Sequence, residues 1–194
     1  MSAIAIQSDE PRRPLVPSAV LGMLIFIICE VMFFAAFVSA HMVVKGGSEI
    51  WPPPDQPRLP VVSTLLNTCF LLLSGWLTFQ SNRAFRREES RESAVRWFAL
   101  AILCGACFVA LQGAEWFRLL KYGLTMRSSV YGSFFYLIIG AHALHAIGAL
   151  IFMAVALLKL RAGKLKDEIF WAVQAFWYFV VGVWPILFVV VYLN

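Results

Sequence analysis

Hydrophobic residues form five long runs along the chain, and a short polar or charged segment separates each run from the next. A helix of about 20 apolar residues crosses about 30 Å of hydrocarbon, and every run reaches that length. The pattern predicts membrane-spanning helices over about 15–44, 59–82, 96–118, 128–158 and 169–193. The predicted fold class is all-α: residues 15–194 form one integral membrane bundle of five transmembrane helices, and residues 1–14 form a polar amino-terminal tail.

Composition and charge support the membrane assignment and add an orientation. Hydrophobic residues make up 61% of the chain and charged residues 14%, whereas soluble domains carry about 25% charged residues. Of the Lys and Arg residues, two lie in the tail, five between the second and third helices and four between the fourth and fifth, against five on the opposite side. The positive-inside rule therefore predicts a cytoplasmic amino terminus and a periplasmic carboxyl terminus. Because topology accounts for the net charge of +5, we expect no nucleic-acid partner.

Glu30 is the only formally charged residue between Pro14 and Val44. An acid at the bilayer centre costs about 2.5–3.5 kcal/mol on insertion scales, so it usually meets a partner inside the bundle. Glu30 and His142 each lie about 13 residues, or about 20 Å, along their predicted helices. We expect these two side chains to hydrogen-bond at mid-depth, with His145 close by on the same face as His142. Such a buried group either responds to protons or fixes helix packing, and the sequence leaves both open.

A second polar group lies near the outer end of the third predicted helix. Gln112, Glu115 and Arg118 follow one another at intervals of three. Side chains at this spacing are neighbours on a helix, so we expect a structural cluster that clamps adjacent helices. In the fourth helix, Gly140 and Gly148 are expected where another helix approaches closely.

No constellation in the sequence suggests a catalytic nucleophile or a haem site of this chain's own. Glu30, His142 and His145 could in principle supply three ligands to copper or zinc, but we expect no metal site. The paired His142 and His145 share one helical face, whereas two axial haem ligands must approach from opposite directions. The four cysteines all fall inside predicted helices and are expected to be reduced. We therefore expect no cofactor bound by this chain alone.

Several motifs, taken in order, resemble subunit III of the haem-copper oxidases, the cytochrome c oxidase subunit III family. LGMLIFIICEVMFFAAF at 21–37 is similar to the family's helix around its buried, carbodiimide-reactive glutamate, here Glu30. The remaining matches are WPPP at 51–54, Asn67 and Thr68 followed by LLLSG at 71–75, QGAEW at 112–116, and SFFYLIIGAHALHAIGAL at 133–150. The last contains the family's Ser-x-Phe-Tyr motif and its two histidines. The resemblance covers about 21–193, nearly the whole chain.

The chain also departs from the family's usual pattern. Members with seven spans have two further helices at the amino terminus, and phospholipids occupy the cleft between those two and the other five. A lipid cleft in this chain would therefore need a neighbour to complete it. In the last helix, Tyr178 and Val181 stand where the family usually has histidine and aspartate.

The resemblance implies a non-catalytic subunit of a bacterial terminal oxidase in the cytoplasmic (inner) membrane. Such a subunit packs on subunit I, has subunit II nearby, and supports proton uptake and stability during turnover. Haem and copper are then expected in subunit I, and phospholipids are expected ligands of this chain. Alternatives within the family are the equivalent subunit of a quinol oxidase or nitric oxide reductase, and membership of a respiratory supercomplex stays open. An alternative of another class is a small stand-alone proton channel or transporter.

Overall fold

The computed structural model describes residues 17–54, 57–87 and 91–193, and every regular element in those ranges is a helix. The helices are α1 (Ser18–Gly46), α2 (Val61–Arg86), α3 (Arg91–Lys121), α4 (Val130–Arg161) and α5 (Asp167–Phe188), which continues as a π-helical turn over Val189–Leu193. All five are long and apolar enough to cross a membrane. The prediction of an all-α, five-helix membrane bundle is therefore confirmed. The orientation of the termini stays a prediction, and the tail at 1–14 lies outside the described residues.

The helix ends differ from the predicted ones by a few residues. α2 continues to Arg86 instead of ending near 82, and α3 begins at Arg91 instead of near 96. Charge marks where a helix leaves the hydrocarbon, but the backbone hydrogen bonds continue beyond that boundary into the polar region. α2 and α3 are therefore longer than the predicted ranges, whereas α1 and α4 begin two to three residues later than predicted.

Two glycines terminate helices by adopting the left-handed conformation that other residues disfavour. Gly123 after α3 has φ of 89°, and Gly163 after α4 has φ of 68°. Beyond each of them a backbone N–H reaches back across the last turn, from Leu124 to Leu119 O and from Lys164 to Lys159 O. These are Schellman motifs, which satisfy the last carbonyls of a helix.

α5 lies at the centre of the bundle, in contact with α1, α2 and α4, while α3 packs against α2 and α4. The core combines aliphatic residues with many aromatic rings. The largest fully buried rings are Trp177, Trp184, Phe98, Phe108, Phe135 and Phe170. The pairing of α2 with α3 is the most extensive contact between two helices.

α2 contributes a row of small polar side chains to the interior instead of an apolar stripe. The buried members of this row are Thr64, Thr68, Ser74, Thr78 and Ser81. Trp184 Nε1 donates to Thr68 Oγ1 at 2.9 Å, and Trp177 Nε1 donates to Ser74 Oγ at 3.1 Å. Ser74 Oγ in turn donates to the carbonyl of Ala101 at 2.6 Å, which links α2 to α3. Hydroxyl groups thus connect three helices where no water competes.

Helices approach closely at Gly105 of α3 and, less tightly, at Gly75 of α2, and not at the glycines expected in α4. A Cβ on Gly105 would lie 2.8 Å from the ring of Trp177. A Cβ on Gly148 would have nothing within 4 Å, and one on Gly140 would only reach Trp116 at 4.0 Å. The expectation for Gly140 and Gly148 is therefore wrong, because the side of α4 that carries them is not in tight contact with another helix.

α1 is the most peripheral helix. Only 6% of its most apolar window is buried, against 28–56% for the other helices. Its buried residues are Phe34 and His41. It rests mainly on α5 and touches α4 over a smaller area, so most of its surface is free to face lipid or another protein.

Candidate functional site

Glu30 of α1 and His145 of α4 form a hydrogen-bonded pair about halfway along their two helices. Glu30 Oε2 lies 2.8 Å from His145 Nε2. Each residue is close to the midpoint of its helix, α1 being Ser18–Gly46 and α4 Val130–Arg161. The Glu30 side chain is 17% exposed and the His145 side chain is 15% exposed, so the pair is largely but not fully enclosed by this chain.

The prediction that Glu30 hydrogen-bonds to His142 is wrong, because Glu30 pairs with His145 instead. His142 is 2% exposed, and neither of its ring nitrogens has a hydrogen-bond partner within the described part of the chain. The two histidines differ by about 60° around the helix axis, so they face different neighbours. His145 faces α1, whereas the ring of His142 lies 5.0 Å from that of Trp184 in α5.

The second nitrogen of His145 determines where protons can lie in the pair. Nδ1 is 2.7 Å from the carbonyl oxygen of Ala141, which can only accept a hydrogen bond, so Nδ1 carries a hydrogen. In a neutral imidazole Nε2 is then an acceptor, and the carboxyl group of Glu30 must donate to it. If His145 is instead a cation, Nε2 donates to an ionised Glu30. In both states one proton lies between Oε2 and Nε2.

Aromatic rings surround this pair. Phe34, one turn after Glu30 on α1, packs edge-on against His145 with centroids 5.3 Å apart. Phe33 and Phe176 lie 6.1 Å and 6.4 Å from the same imidazole. These rings replace solvent around the two polar groups, which strengthens the electrostatic interaction between them.

The predicted polar cluster of α3 holds neighbouring helices together, and each member has a different partner. Gln112 Nε2 donates to the hydroxyl of Tyr192 at 2.8 Å, at the end of α5. Glu115 Oε1 accepts from Ser63 Oγ of α2 at 2.8 Å and from Arg118 at 3.2 Å. Arg118 is itself mostly exposed, so its ion pair contributes little to stability.

Sequence reasoning did not identify Ser63 and Tyr192 as the partners of this cluster. Tyr192 lies in the π-helical turn that follows Pro185, the proline inside α5. Proline lacks an N–H and disturbs the regular hydrogen-bond ladder, which changes the direction of the side chains after it. The one available signal was the proline itself, which marks an irregular end but gives no direction for Tyr192.

The chemistry open to the site is that of a held or transferred proton. The two protonation states described above differ only in whether the shared proton is bonded to Glu30 Oε2 or to His145 Nε2. Within the described residues, no three His, Cys, Asp or Glu side chains converge where a metal ion would bind. The four cysteines are unpaired thiols.

Residues 14–194 match the family described as cytochrome c oxidase subunit III. The chain is 32% identical over 200 residues to "Probable cytochrome c oxidase subunit 3" of Nocardia farcinica, which covers 98% of this chain and 94% of the relative. It is 34% identical over 179 residues to "Cytochrome c oxidase subunit 3" of Corynebacterium diphtheriae, covering 89% and 86%. The protein of the same name from Cyprinus carpio is 36% identical over 180 residues, which is 88% of this chain and 67% of the carp protein. The resemblance carried by the sequence motifs is thus confirmed over almost the full length of the chain.

Proposed function

We propose that this chain, which belongs to the cytochrome c oxidase subunit III family, is the non-catalytic subunit III of a bacterial haem-copper terminal oxidase. It packs on subunit I, which holds the haem and copper, and has subunit II as a further neighbour. The complex lies in the inner membrane, with the amino terminus of this chain in the cytoplasm. The role of the chain is to support proton uptake and to keep the oxidase active through many turnovers.

The observation that carries this proposal is the Glu30–His145 pair. A carboxyl group in hydrocarbon is expensive, and a simple packing contact could be made without one. This pair holds a single transferable proton near the middle of the membrane, with the aromatic rings of Phe33, Phe34 and Phe176 around it. A group of this kind suits a subunit that influences proton movement in a neighbour.

The weak burial of α1 is compatible with a neighbouring subunit or bound phospholipid. Most of its large side chains are exposed on the bundle, among them Ile28, Met32 and Val43. All three are apolar, so either a transmembrane helix of another subunit or lipid chains would suit them. The residual exposure of Glu30 lies on this same peripheral helix.

Cytochrome c is the favoured electron donor of the complex. The similar proteins from Nocardia, Corynebacterium and carp all carry cytochrome c oxidase in their names. An equivalent subunit of a quinol oxidase or nitric oxide reductase is the alternative, since the electron donor binds other subunits. Oxygen consumption with reduced cytochrome c, compared with quinol, distinguishes these complexes.

The proton role is tested with two substitutions at Glu30 in the assembled oxidase. Glu30→Gln keeps a hydrogen-bond donor for His145 Nε2 but lacks an ionisable proton, and Glu30→Leu removes both. If the pair supports proton uptake, Gln and Leu both shorten the turnover lifetime several-fold, while the initial rate falls less. The measurement is oxygen consumption followed until activity is lost.

Glu49→Gln is the matched control, because it removes an exposed acid just beyond α1. It should leave rate and lifetime unchanged. The proton role would be contradicted if the Glu30→Gln oxidase kept its rate and lifetime while the Glu30→Leu oxidase was impaired. The carboxyl group would then serve only in helix packing.

A further inference from the structure

Three side chains with unpaired polar atoms line one small cavity between α3, α4 and α5. Gln112 Oε1, Trp116 Nε1 and both ring nitrogens of His142 have no hydrogen-bond partner within the described part of the chain. All three residues line the same cavity. Gln112 and His142 are 4% and 2% exposed, so neither can turn to bulk solvent. His142 lines this cavity, whereas His145, the partner of Glu30, does not.

The chemistry of these atoms is complementary to water. The Gln112 oxygen only accepts, the Trp116 nitrogen only donates, and a neutral His142 does one of each. A water molecule supplies both donors and acceptors, so the same ligand satisfies all of them. A buried polar group without a partner destabilises the folded chain, and several lining one cavity favour a shared ligand.

The size of the cavity also fits. Its volume is about 110 Å³, and one water molecule occupies about 30 Å³ in the liquid, so about three fit. Apolar cavities stay dry, whereas a buried water needs two to four polar partners. The rest of the lining is apolar, including Phe108, Ile139 and Trp184, so water would be held at the polar atoms of Gln112, Trp116 and His142.

We propose that this cavity binds a small cluster of water molecules that bridges Gln112 and Trp116 of α3 to His142 of α4. The cluster makes part of the α3–α4 contact water-mediated. Gln112 also donates to Tyr192, so the bridge extends to the end of α5. This inference stands on the geometry of the chain alone and is independent of the proposed oxidase function.

The test is water-edited solid-state NMR on the full chain in phosphatidylcholine vesicles, with ¹⁵N-labelled histidine and glutamine. Magnetisation from water should reach the His142 ring and the Gln112 amide several-fold faster than it reaches Gln174. Gln174 is the internal control, because it is 2% exposed with an unpaired Nε2 but does not line the cavity. The His142 signal is assigned by its loss in His142→Phe.

Trp116→Phe keeps an aromatic ring but removes the N–H, and it should slow the transfer to His142. The wild-type measurement alone decides the inference, so it does not depend on that variant folding. Transfer to His142 and Gln112 that is no faster than to Gln174 would overturn the proposal. Uptake of xenon by the cavity would overturn it as well, because it would show a dry, apolar site.

Discussion

At the scale of single residues, Gly105 is the position where three helices leave no room for a side chain. A Cβ there would lie 2.8 Å from two ring atoms of Trp177 and 2.9 Å from Leu150 Cδ2. Trp177 is fully buried and donates a hydrogen bond to Ser74. The Trp177 ring is therefore held between Gly105 of α3 and Ser74 of α2 and cannot shift to make room for a Cβ.

Gly105→Ala should destabilise the bundle for this reason. Overpacking lowers the free energy of unfolding by about 1–3 kcal/mol. The higher helix propensity of alanine offsets at most about 1 kcal/mol of that loss. Gly182→Ala on α5 is the matched control, since a Cβ at that exposed glycine would have nothing within 4 Å. Denaturant unfolding in detergent micelles measures both variants. If the Gly105→Ala variant is as stable as the Gly182→Ala variant, the described packing is contradicted.

The depth of Glu30 could be predicted from the sequence, but its partner could not. Counting residues along two helices gives a height, and both histidines of α4 lie near that height. The choice between His142 and His145 depends on the rotation of α4 about its axis. That rotation is set by contacts such as the one between His142 and Trp184, which involve a third helix. No pattern within α1 or α4 contains that information.

At the scale of the helices, α2 and α5 are joined through hydroxyl groups that accept from indole N–H groups. Thr68 and Ser74 are the acceptors, and Trp184 and Trp177 are the donors. Apolar burial drives association weakly in a membrane, since lipid chains are as apolar as the helices. Hydrogen bonds and close packing therefore carry more of the specificity of this contact.

Trp184→Phe should destabilise the bundle by about 1–3 kcal/mol, since it removes one interhelical hydrogen bond and leaves a partly filled space. Trp76→Phe, at an α2 tryptophan with 52% exposure, should cost less than about 0.5 kcal/mol. The two variants are compared by thermal unfolding in the same detergent. Equal losses at 184 and 76 would show that the Thr68 contact adds nothing.

The existence of the five helices could be predicted because hydrocarbon leaves the backbone no alternative to internal hydrogen bonding. The buried polar face of α2 could also be predicted in part. Thr64 and Thr68 are four residues apart, as are Ser74 and Thr78, and this spacing places each pair on one side of a helix. What stayed hidden was the irregular end of α5. Pro185 signals a break, but whether a π-helical turn follows depends on the packing of Val191 and Tyr192.

At the scale of the whole molecule, the helices differ in burial: α2 to α5 are well packed, and α1 is mostly exposed. α2 to α5 share one hydrophobic core, to which α1 contributes Phe34. α1 is otherwise held through α5, through the Glu30–His145 pair and at His41. His41 is 2% exposed, between the rings of Trp51 and Phe134. Such an architecture suits a subunit whose outermost helix meets other parts of a complex.

Whether the chain works inside an oxidase is decided by purifying it with an affinity tag from its native membranes in mild detergent and recording the visible spectrum. We predict that larger oxidase subunits purify with it in equimolar amounts and that the sample shows haem absorbance and consumes oxygen. A colourless homo-oligomer that moves protons in liposomes would contradict it and would identify the chain as a stand-alone channel or transporter.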